Sequence, residues 1–101
     1  MIVLATRLGR RPRRCALAHE LIHDERGLVV SEMPPELAKK EESAVEREVA
    51  RRMVPRAELV AMIARATDLG EGLGVAEVAE AFDVDEDVAR RALDDLRASA
   101  A

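Results

Sequence analysis

Apolar residues along the chain fall into short groups whose spacing and punctuation predict mostly helices. The opening "MIVLA", Met1 to Ala5, is a continuous apolar run of strand length and reads as a short buried strand. Next, "RRPRRCALAHELIHDERG" sets Pro12 near a first helical turn and Gly27 just past a last one, which predicts a helix over 12–25. Between Cys15 and Ile22 only His19 and Glu20 are polar, so this helix is expected to be buried over most of its circumference, both histidines included. The stretch "LVVSEMPPEL" predicts a short extended piece stopped by two prolines. A charged helix then runs from Pro35 or Glu36 to Met53, with Val45, Val49 and Met53 on one stripe, and is closed by Pro55. A third helix is predicted over 56–67, ending at the glycine-rich "DLGEGLG". The remainder, "GVAEVAEAFDVDEDVARRALDDLR", reads as helix, tight turn and helix, with Asp85 a candidate N-cap. In that unit Val75, Val78, Ala79 and Phe82 are expected to pack against Val88, Ala92 and Leu93.

Composition narrows this picture. A chain of 101 residues allows one small domain with little stability to spare. Phe82 is the sole aromatic, so the core is built from Ala, Leu, Val, Ile and Met, a set that favours helices. One cysteine, Cys15, excludes an intramolecular disulfide. Neither a signal peptide nor a membrane-spanning run is recognisable, which makes a cytoplasmic setting the expectation. Charge is uneven: residues 1–26 carry six arginines against three acids, and residues 68–101 carry ten acids against three arginines. The last helix therefore suits phosphate backbones poorly, setting Arg90, Arg91 and Arg97 against Asp85, Glu86, Asp87, Asp94 and Asp95. A packing or protein-docking role for the helix–turn–helix is expected over direct nucleic-acid binding.

The chemistry concentrates in "LAHELIH". His19 and His23 are the two histidines of the chain, and a spacing of four puts both on one helical face, where both imidazoles can meet a single ion. Paired imidazoles suit tetrahedral Zn²⁺, and Glu20, next to the first, is placed to take a proton from an attacking water and pass it to a leaving amine. Two imidazoles and a carboxylate within one apolar turn are costly to desolvate without a shared partner, and a cation supplies one. A third ligand must be a carboxylate or thiolate, since no histidine remains. Glu41, Glu42, Glu46 and Glu48 of the next helix are candidates; Glu42 and Glu46 are read as sharing the core stripe, Glu41 and Glu48 as solvated. Cys15, one turn before His19, is read as a small buried apolar residue. Arg10, Arg11, Arg13 and Arg14 are read as solvated or docking charges.

Together, "RRCALAHELIHDERG" and "EESAVEREVARRMVP" resemble the ImmA/IrrE family of HExxH metallopeptidases, in particular its short actinobacterial and phage-type forms. The likeness covers about residues 2–56. In that family a helix after the histidine helix carries a pattern of the type E-x-x-A-x-x-x-A-x-x-L-[IML]-P; this chain has its hydrophobic pair on Met53 and Val54 before Pro55, and with one residue inserted ahead of that pair the pattern's glutamate falls on Glu42 and its small residue on Val45. The resemblance implies a zinc ion held by His19, His23 and Glu42, with Glu20 as general base and acid. It further implies a protein substrate, often a helix-turn-helix repressor. No tyrosine or further histidine is present to stabilise an oxyanion, so an arginine, a backbone N–H or the metal must do so.

The expected architecture is α+β and mainly α: a small N-terminal β element packed on a zincin-like helix pair over residues 1–56, with a helix-turn-helix-like extension over 57–101 in the same compact unit. Two further readings compete with the peptidase: a non-catalytic protein in which zinc only joins two helices, and a helix-turn-helix DNA-binding regulator.

Overall fold

The computed structural model describes residues 9–100, which form five α-helices and one 3₁₀ turn: α1 (Arg10–Arg26), the turn at Val30–Glu32, α2 (Pro35–Met53), α3 (Arg56–Asp68), α4 (Val75–Phe82) and α5 (Glu86–Ala100). Their limits follow local chemistry. Gly27 ends α1 in the left-handed conformation, φ 70°, and its N–H bonds to the His23 carbonyl at 3.0 Å. Pro35 occupies the first turn of α2, where its missing N–H costs nothing. Pro55 separates α2 from α3 because its ring cannot continue the helix before it. At the start of α4 the Glu77 carboxylate accepts the Gly74 N–H at 3.0 Å. Asp83 ends α4 at φ 56°, a left-handed position that aspartate tolerates better than most residues.

The α+β expectation is corrected to an all-helical fold. No strand is present among the described residues, and "LVVSEMPPEL" forms the 3₁₀ turn in place of an extended piece. The reason lies in backbone pairing. The turn pairs Glu32 N–H with the Val29 carbonyl and Met33 N–H with that of Val30, each at 3.0 Å, where no neighbouring strand among the described residues offers ladder bonds instead. The strand expected at Met1–Ala5 lies outside the described residues.

Helix α2 is central, packing against α1 and against α5, while α4 packs on α5. One core cluster gathers Ala50, Val54 and Leu59 with Val78, Ala79, Val84, Ala89 and Leu93, and joins Cys15 of α1 to the C-terminal helices. Val75, Phe82 and Val88 pack around it, so the residues read as the inner face of the helix–turn–helix do meet. A second, smaller cluster holds Ile22 of α1 against Val45 and Val49 of α2. The stripe at 45, 49 and 53 is therefore the face α2 turns inward.

Helix α1 departs from expectation. Only Cys15 and Ile22 are buried in it, and Leu17 and Leu21 stand exposed on its outer side. Its two buried residues meet α2 and the C-terminal helices, so α1 is covered on one side only.

At its N-terminus α1 is tied to the end of α4. Asp83 faces Arg10 Nε at 2.8 Å and Arg14 at 3.1 Å, and Arg14 also donates to the Phe82 carbonyl at 3.3 Å. Cations there complement the partial negative charge at the C-terminus of α4. The arginines at 10 and 14 are thus docking charges.

Candidate metal centre

Ile22 sets the position of the two histidines. Its side chain is 1 % exposed and locked against Val45 and Val49, which leaves the adjoining faces of α1, at 19 and 23, turned toward the first turns of α2. Glu42 lies one helical turn before Val45 and meets them. His19 Nε2 and His23 Nε2 are 3.1 Å apart. The Glu42 carboxylate lies 3.0 Å from His23 Nε2 through Oε1 and 3.4 Å from His19 Nε2 through Oε2. One ligand atom from each residue fits within 4.8 Å of the others.

These separations can be tested against coordination geometry. Two atoms each about 2.0–2.1 Å from zinc at the tetrahedral angle stand about 3.3–3.4 Å apart. The observed 3.1 Å between the two Nε2 atoms lies close to that edge, while Glu42 approaches the two rings through different oxygens, so the three residues fit a zinc ion once the carboxylate turns to present one oxygen to it. Hydrogen bonding alone accounts for the cluster less well. If both imidazoles presented N–H groups to Glu42, those groups would confront each other across 3.1 Å. The histidine side chains are 31 % and 20 % exposed, so the expectation that both are buried is corrected: the cluster is open to water on one side.

The other carboxylates separate cleanly. Glu46, an equal candidate by the stripe argument, is exposed and pairs with Arg91 of α5 at 3.0 Å, away from the histidines' meeting point. Glu48 pairs with Arg51 at 2.7 Å and Arg52 at 3.0 Å on the surface. Glu41, read as solvated, is 6 % exposed and corrects that reading. Arg26 Nε reaches both its oxygens at 2.8 Å, and the guanidinium Nη2 also contacts Oε1. That contact holds the Glu41 carboxyl below the usual carboxylate range and raises Arg26 in turn. The sequence signal was available: positions 41, 45, 49 and 53 form one row at a spacing of four, so counting back from Val45 reaches Glu41.

Glu20 is exposed on α1 and lines a groove with His19. Cys15 is buried, accepts a 3.5 Å contact from the Asp85 N–H, and its thiol is pushed up by burial, which suits a packing role. It does not join the three-residue cluster.

Comparison of the chain with protein-family models, with curated proteins and with solved structures gave no match. No helix among the described residues is long and apolar enough to cross a membrane.

Proposed function

We propose that the chain is a zinc-dependent metallopeptidase of the ImmA/IrrE type that hydrolyses a peptide bond in a protein substrate. The single observation that supports this reading most is the meeting of Glu42 with His19 and His23, because the motif resemblance, with its one-residue insertion, points to that glutamate among the five in the helix. His19 and His23 would hold the ion, and Glu42 would supply the anionic ligand that lowers the site's net charge. Zinc bound there supplies Lewis-acid polarisation of the scissile carbonyl. Glu20, solvent-facing and beside His19, takes the proton from the attacking water as the C–O bond forms. It then returns that proton to the departing nitrogen as the C–N bond breaks.

A non-catalytic zinc clamp has one observation in its favour: the three residues join α1 to α2, so an ion there would also brace the fold. Glu20 separates the two readings. Hydrolysis of a denatured protein such as casein by the zinc-loaded chain, abolished in Glu20→Gln with zinc retained, supports the peptidase. Zinc uptake with no hydrolysis in either form leaves only the clamp.

A further inference from the structure

A groove of about 660 Å³ runs between α1, α2 and α5 and opens at His19 and Glu20. Its inner surface is apolar, formed by buried Cys15 and Val49 with half-buried Ala16 and Val88. Its rim carries six acids, Glu20, Glu46, Asp85, Asp87, Asp94 and Asp95, against two arginines. Both arginines are already engaged, Arg91 with Glu46 at 3.0 Å and Arg90 with Asp87 at 3.2 Å. Acids alone on an exposed helix would be an ordinary solvated face. Here they border an apolar cavity that reaches His19 of the proposed metal centre, and even with Arg97 lying 3.7 Å from Asp94 the net charge of the rim is negative.

We infer that this groove binds an extended, lysine- or arginine-bearing segment of the protein substrate, an inference that rests on the metallopeptidase reading for its place in a reaction. From Asp85 to Asp95 the α5 wall spans about 15 Å at the helical rise of ~1.5 Å per residue. An extended peptide advances ~3.3 Å per residue, so four or five residues fill the groove. An aliphatic side chain among them seats against Val49 and Val88, and flanking cations meet Asp85, Asp94 and Asp95. Acidic peptides and nucleic acids meet the same rim with like charge and are excluded.

The test uses the full chain as purified and two fluorescein-labelled pentapeptides, one with a central leucine flanked by lysines and its counterpart with glutamates. Binding is read by anisotropy, with peptide integrity followed by mass spectrometry. The lysine peptide is expected to bind about tenfold or more tightly than the glutamate one, and the difference to shrink in ~0.5 M salt, where charges are screened within a few ångströms. Asp94→Asn with Asp95→Asn should cost the lysine peptide about fivefold or more while zinc content is unchanged. Equal affinity for the two peptides, no binding of the lysine peptide, or an unaffected double variant overturns the inference. Zinc uptake without selective peptide binding overturns the groove alone. Selective binding by a chain that takes up no zinc overturns the peptidase and reduces the groove to a docking surface.

Discussion

Arg26, in the last turn of α1, grips the buried carboxylate of Glu41, in the second turn of α2, with its Nε 2.8 Å from both oxygens. The pair stands next to the candidate centre on both helices, three residues after His23 and one before Glu42. It fixes the separation of the helices that carry the histidines and the third carboxylate. Removing Arg26 strands a buried carboxylate, and the desolvation of that group then opposes folding. Arg26→Met should therefore lower both the melting temperature and zinc affinity. Arg51→Met, which breaks a surface pair with Glu48, should change neither, since exposed pairs contribute little. Thermal melts and a zinc titration of both variants check this.

The inner and outer sides of α1 should differ sharply. Ile22 is fully enclosed by Val45 and Val49, and Ile22→Ala should cost roughly 2–4 kcal/mol in a urea titration. Leu17→Ala removes a residue that is 39 % exposed, and its cost should stay within about 0.5 kcal/mol. Similar costs for the two would mean that α1 is covered on its other face.

Gly27 should resist substitution for a backbone reason alone. Its φ is +70° and an added Cβ would meet nothing within 4 Å, so Gly27→Ala carries a conformational penalty of about 1–2 kcal/mol with no steric part. Denaturant unfolding of that variant measures it. Because Gly27 N–H bonds the His23 carbonyl, the variant should also loosen the last turn of α1 and weaken zinc binding.

Zinc should report on folding. An ion that binds the native chain alone, at roughly one hundred times its dissociation constant, adds about 2.7 kcal/mol. For a domain of this size that corresponds to a rise in melting temperature on the order of 10 °C. A scan with and without chelator reads it directly, and coincident melts would count against native-state zinc binding.

Much of this arrangement was legible before any coordinates. Prolines at 35 and 55 and the glycine at 27 mark helix ends by backbone chemistry that neighbours rarely override, and the helices end or begin where those residues place them, whereas α1 starts at Arg10, two residues before Pro12 and the expected start. Glu42 was reachable from the motif only with a one-residue insertion. Glu41 was not recognised, because a charged residue on a core row reads as solvated until its partner is known, and Arg26 lies fifteen residues away. Glu46 misled for the opposite reason: it adjoins the apolar stripe, yet Arg91 of α5 draws it outward. Nor could periodicity tell which side of α1 is covered, since both sides are apolar and only the packing of α2 and α5 decides. The extended piece at 28–33 failed because strand formation depends on a neighbour that its own residues do not reveal.

In the proposed mechanism Glu20 moves the proton and makes no ligand contact. Glu20→Gln should lower peptide hydrolysis by about 100-fold or more while leaving zinc affinity nearly unchanged. Steady-state hydrolysis beside a zinc titration of the same preparation separates that outcome from a loss of metal.

Metal analysis of the purified chain beside His23→Ala, Glu42→Ala and Glu46→Ala bears most directly on the centre itself. One zinc per chain in the parent and in Glu46→Ala, with loss in both His23→Ala and Glu42→Ala, is the expected pattern. A folded parent chain that takes up no zinc from a stoichiometric supply, or a Glu42→Ala variant that retains it in full, would contradict the site.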